Sequence, residues 1–210
     1  MSDGESESES DSDASTHDTK ESSRSHNHFV KRISNSELLI SGPIGRRSCV
    51  EFTLVMSKMT RELQLLALNH VNFTPKIRIR IMSNGGLLES GFAMADIIQT
   101  CPLPVTTIVQ GNADSAASII FVSATDRALI MSNATILIHQ LRSGTIGTFT
   151  AMQDDVSNCH KSMEMMRNFY EKQCPNLSKK TLKELFRSET MLTSTEAITE
   201  GIADDYFWGW

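Results

Sequence analysis

The chain has 210 residues, 40 % of them hydrophobic and 21 % charged, with a formal net charge of −5. This is an ordinary soluble composition, long enough for one substantial core, and no apolar run reaches membrane-spanning length. The charge is uneven: residues 1 to 21 hold eight acids against Lys20, so the remainder is slightly basic and presents no strong field to nucleic acid.

The opening "MSDGESESESDSDASTHDTKESSRSHNH" has no large apolar residue after Met1. Such a segment cannot offset its ordering entropy by burial, so residues 1–30 are expected to be a disordered acidic, Ser-rich tail and 31–210 a single domain. The tail has neither the apolar centre of a signal peptide nor the acid-poor composition of a transit peptide. Cys49, Cys101, Cys159 and Cys174 lie scattered without metal-ligand spacing, so no metal is expected, and reduced thiols in a cytoplasmic protein are.

After the tail, "SELLISGPI" (36–44) predicts a short strand ending in a Gly-Pro turn. From Ser48 to about Val71, the residues Val50, Leu54, Met59, Leu63, Leu66 and Leu68 recur at helical spacing and predict a helix with that face buried. "KIRIRIMS" (76–83) alternates charge with Ile, as a strand with one buried face does. A helix over "LLESGFAMADIIQTC" is stopped by Pro102 and Pro104. Then come a strand "VTTIVQ", a helix "NADSAASIIFVSAT", a strand or turn "RALIMSN" and a strand "TILIHQL". A long helix is expected over about Thr148–Gln173, with Met152, Val156, Met163, Met166 and Phe169 on a common side. Another starts near Ser178, and a last one is capped by Thr193 or Ser194 and closed at Gly201. Strands alternating with helices predict an α/β fold with parallel strands, whose ligand crevice lies at the carboxyl ends of the strands.

Three signals fall at those ends. "MSNGG" (82–86) can turn sharply and point backbone amides at a bound group, although Gly-Gly turns are also plain structural devices. Ser115, in "GNADSAAS", is either a packing or helix-capping serine or a nucleophile beside helix-start amides. His139, in "LIHQ", is either a core histidine or a base. Acyl transfer to serine needs an imidazole to take the hydroxyl proton, a group to orient it, and donors for the oxyanion. The three signals supply all but the orienting group.

Together these stretches resemble the family of Clp protease proteolytic subunits. The match runs through Ser83-Asn84-Gly85-Gly86, Gly111-Asn112-Ala113-Asp114-Ser115, Ile138-His139-Gln140 and the closing "MLTSTEAITEGIADD", and spans about residues 36–205. The resemblance implies a ClpP/crotonase-like fold of repeated β-β-α and βαβ units with a protruding handle helix, placed here at 148–173 after the glycine-containing strand "RSGTIGT". It implies Ser115 as nucleophile, His139 as general base, and the amides of Gly86 and Ala116 as oxyanion donors. The family's third residue is an aspartate; the corresponding position holds Glu189, whose extra methylene demands an adjusted backbone.

Further implications are a homo-oligomer of heptameric rings stacked in pairs, unfolded protein as substrate, and an AAA+ unfoldase of the ClpX, ClpA or ClpC type as partner. That partner would use the ATP, since the chain has no Walker-type loop and no cofactor of its own is expected. Two departures stand out: Asn84 replaces the family's proline, and Asp114 puts an acid beside the nucleophile. They keep other readings open, namely a ring subunit without turnover, a viral capsid-maturation peptidase and a crotonase-like enzyme acting on a thioester.

Overall fold

A computed structural model describes residues 29–209. The expected tail lies almost wholly outside the described residues. The chain enters on β1 (Val30–Arg32), which pairs antiparallel with β2 (Glu37–Ser41). From β2 the sheet is built by parallel addition: β3 (Ile77–Ser83) beside β2, β4 (Val105–Asp114) beside β3, β5 (Ala128–Ile130) beside the first half of β4. Strand β6 (Thr135–Leu137) pairs parallel with the second half of β4, β7 (Leu192–Thr193) antiparallel with β6, and β8 (Asp205–Tyr206) parallel with β5.

Parallel neighbours require crossovers, supplied by α1 (Arg46–Asn69) between β2 and β3, α2 (Leu88–Gln99) between β3 and β4, and α3 (Ala116–Val122) between β4 and β5. One continuous core joins Phe52 and Met56 of α1, Met94 and Ile98 of α2 and Ile119 and Ile120 of α3 to Ile79 and Ile81 of β3. The α/β class expected from the alternation is the observed one. No described helix is long and apolar enough to cross a membrane.

Several local expectations need correction. The buried stripe of α1 is Ser48, Phe52, Met56, Met59 and Leu63, while Val50, Leu54, Leu66 and Leu68 are exposed. Apolar residues occupy more than one face of this helix, and the face that meets the sheet is the one carrying Phe52 and Met56. Strand β3 is not buried on one face only. Arg80 is 1 % exposed, its Nε donates to Glu37 Oε1 at 2.6 Å, and its guanidinium lies 5.2 Å from the Phe207 ring centre.

The helix expected from Asn112 begins only at Ala116, because Asn112–Asp114 are drawn into the sheet by pairing with Thr135–Leu137. Conversely, the strand expected over 135–141 ends at Leu137. The glycine-containing stretch 141–147 forms no strand and is almost wholly exposed, having no partner strand among the described residues.

Helix α4 (Phe149–Gln173) carries the expected stripe from solvent into the core: Met152 and Val156 are exposed, whereas Met166 and Tyr170 are buried. Its first half therefore protrudes. Helix α5 (Lys179–Arg187) is capped by Ser178, and α6 (Ser194–Thr199) by Thr193 in a capping box with Glu196, with Gly201 at φ 73° just beyond its end.

Candidate active site

The pairing of β3 with β4 slips between Ile81 and Ser83: Ile81 faces Val109, but Ser83 faces Ala113. The extra residues on β4 bulge and re-aim its end. In the same stretch β4 changes neighbour from β5 to β6. The strand stays in parallel pairing, with β6, to its last residue Asp114 and delivers Ser115 at the start of α3.

Ser115 has φ 55° and ψ −124°, the only positive φ at a non-glycine among the described residues. Such a conformation costs about 1–3 kcal/mol and persists only where the surroundings impose it. Here the Ser115 N–H donates to the Leu137 carbonyl at 2.8 Å, and the Ser115 carbonyl accepts from Ser118 N at 3.0 Å and Ser118 Oγ at 2.6 Å. Ser118 Oγ also lies 2.7 Å from the Tyr170 hydroxyl in the core. Both sides of the serine backbone are anchored, yet its own hydroxyl caps nothing. A capping role, the plain reading of this serine, is not what the hydroxyl performs.

The Gly85-Gly86 turn lies against this elbow. Gly85 (φ 85°) and Gly86 (φ 152°) adopt backbone conformations that side chains resist. The Gly85 carbonyl accepts from Ile44 N and the Ile44 carbonyl from Leu87 N, each at 2.8 Å, while Gly85 N donates to Ser83 Oγ at 3.1 Å. The Gly86 N–H takes no part in this bridge. Ala116 is the first residue of α3, so its N–H has no partner inside the helix.

A cavity of about 490 Å³ is lined by Gly86, Ser115, Ala116 and His139, and is closed on one side by Asp155, Cys159, Ser162 and Met166 of α4. Among the sequence-derived site residues, these four are brought together on one surface. His139 lies two residues past β6, the strand whose Leu137 carbonyl holds the Ser115 amide. Its Nδ1 lies 2.6 Å from the Gln140 carbonyl oxygen. A carbonyl only accepts, so Nδ1 is the donor in this contact, and in the tautomer with its one proton there Nε2 is the acceptor.

Glu189 is placed differently. It is exposed, does not line the cavity, and is paired with Arg142. The hydrogen bond and charge of Arg142 hold its carboxyl below the usual range, with a smaller contribution from His139. Asp114 does not line the cavity either: its Oδ2 accepts from Asn112 Nδ2 at 2.6 Å. Sequence reasoning overlooked Asn112, and the Gln140 carbonyl was invisible to it because every residue has one. The only available pointer to Asn112 was the pair of unusual polar residues, Asn84 and Asp114, that it joins.

Two comparisons bear on this arrangement. The sequence profile of the family described as Clp protease matches residues 53–207. The chain is also 30 % identical, over 173 residues, to the ATP-dependent Clp protease proteolytic subunit 2 of Treponema denticola, covering 82 % of each chain.

Proposed function

Since the chain belongs to the Clp protease family, we propose that it is a serine endopeptidase acting through an acyl-enzyme on Ser115. The observation that carries this reading is one cavity bearing the Ser115 elbow, His139 and the Gly86 and Ala116 backbones together. In the first step Ser115 Oγ attacks the scissile carbonyl carbon while its proton passes to His139 Nε2. The carbonyl π pair moves to oxygen, and the Gly86 and Ala116 amides receive the negative charge. Collapse of the tetrahedral adduct expels the amine, which takes the proton from His139. Water then repeats the sequence on the ester, releasing acid and free serine. Losing one such oxyanion donor costs about 2.7–4 kcal/mol of transition-state stabilisation.

In this arrangement the Gln140 carbonyl orients the imidazole, and Glu189 becomes the orienting acid only after leaving Arg142. The finer implications of the family belong to the same proposal. They are a ring of identical subunits, unfolded polypeptide as substrate, a cytoplasmic setting and an ATP-driven AAA+ unfoldase as partner. The protruding first half of α4, with Met152 and Val156 exposed, supports a subunit contact there.

A second reading, a subunit that keeps the fold without turnover, is favoured by one observation: Glu189 is committed to Arg142. Incubation of the assembled protein with a fluorophosphonate probe, followed by peptide mass spectrometry, separates the two. The peptidase reading expects label on Ser115 that disappears in Ser115→Ala and falls sharply in His139→Ala. An unlabelled, folded assembly sinks it in favour of the second reading.

A further inference from the structure

We propose that Asn112 is a positioning residue that holds the Gly85-Gly86 turn in register with the Ser115 elbow; the inference rests on the peptidase reading for its catalytic consequence. The Asn112 Nδ2 donates to Asn84 Oδ1 and to Asp114 Oδ2, each at 2.6 Å. An amide nitrogen has two protons, and here each has its own acceptor. One partner is a carboxylate, which only accepts, so the amide orientation is fixed by chemistry. Asn84 immediately precedes the two glycines, and Asp114 immediately precedes Ser115. The side chain therefore ties together the two backbone segments that carry, two residues past Asn84 and Asp114, the Gly86 and Ala116 amides.

Two features show why such a tie matters here. A Gly-Gly turn is intrinsically free in torsion, and the position before it holds Asn84, without the fixed φ a proline would impose. The other is Asp114: its Oδ1 is buried with no hydrogen-bond partner, so Asn112 makes the one side-chain hydrogen bond of this carboxylate among the described residues. Without Asn112 the turn loses its side-chain tie to the elbow and keeps only the backbone pairing of Ser83 with Ala113. The carboxylate also loses what keeps it turned from the cavity, and a negative charge swinging toward Ser115 opposes a developing oxyanion. Both effects act on the transition state more than on bound substrate.

The test uses the full-length assembled protein and the variants Asn112→Ala, Asn112→Gln and Asn112→Ala combined with Asn84→Pro. It reads peptide turnover, fluorophosphonate labelling of Ser115 and hydrogen exchange of the 83–87 segment. Asn112→Ala is expected to lower kcat about 10- to 100-fold, the range that follows from small misplacement of reacting groups, with KM changed less than about twofold. Exchange at Gly85 and Gly86 should quicken while the thermal midpoint stays close to wild type. Adding Asn84→Pro should recover part of the rate by stiffening the turn directly, and Asn112→Gln should fall between.

A folded Asn112→Ala protein with wild-type kcat and unchanged exchange overturns the inference. So does a rate loss that merely tracks a fall in thermal midpoint. Should the wild-type protein itself fail to label, the peptidase reading fails separately, and the exchange measurement alone decides whether Asn112 holds the turn.

Discussion

Replacing Gly85 with alanine tests whether the turn must sit where it does against Ser115, the proposed nucleophile. A Cβ at Gly85 would lie 2.7 Å from Ser115 Cβ, 2.9 Å from Ala116 N and closer still to the Asp114 carbonyl oxygen, where such atoms stay at 3.0 Å or beyond. None of these neighbours can give way as the tip of a long side chain would. Two are backbone atoms of the elbow and the third is the Ser115 Cβ fixed directly to it, and the elbow is itself held by Leu137 and Ser118. The turn must therefore retreat by several tenths of an ångström, carrying the Gly86 amide with it. At φ 85° an alanine also bears the left-handed penalty, and the two effects together cost about 1–3 kcal/mol of stability. Misplacement of one oxyanion donor on that scale is expected to lower kcat about 100-fold. Fluorogenic-peptide turnover and Ser115 labelling read the rate, and urea unfolding reads the stability. A folded Gly85→Ala protein that turns over at the wild-type rate would refute the placement of the oxyanion hole at this turn.

Glu189→Gln should leave the rate of Ser115 labelling within a few-fold of wild type, because the Gln140 carbonyl already orients His139. Loss of a true orienting acid costs about 10⁴, so a drop approaching that size would show that Glu189 leaves Arg142 in the working enzyme. Burial pushes the Cys174 thiol from 9.0 up to about 12, with the Asp204 charge adding to it. Between those values the folded state keeps a proton that the unfolded chain releases, so stability should fall as pH rises through that window. Burial of the Tyr170 hydroxyl acts in the same direction. Thermal midpoints measured across the alkaline range check this, and a flat profile would contradict it. Glu37→Gln removes the carboxylate charge to which Arg80 Nε donates at 2.6 Å and should cost about 3 kcal/mol in urea unfolding. A loss below about 1 kcal/mol would mean that other contacts of Arg80 carry the charge.

The order of strands and helices was legible in the sequence because hydrophobic periodicity and turn residues are local signals. "KIRIRIMS" announces β3, and Thr193 with Glu196 announces the start of α6. The family resemblance pointed to Gly86, Ser115, Ala116 and His139, which line one cavity, and to Glu189, which does not. What misled was every feature settled by a partner distant in sequence. Asn112–Asp114 look helical by composition but become strand because β6 offers them hydrogen bonds. Gln140 to Gly147 look extended but find no strand to pair with among the described residues. The buried face of α1 depends on which of several apolar faces meets the sheet.

By itself, then, the sequence determined the α/β class and the order of the main elements from β2 to α6, since these follow from spacing along one chain, while the short strands β1, β7 and β8 were not legible in it. Only the tertiary structure decided which groups His139 and Glu189 contact and what Asn112 joins. Those outcomes depend on directional bonds between segments as far apart as Arg142 and Glu189, or Asn84 and Asn112. Such bonds form only once packing has brought their donors and acceptors within reach.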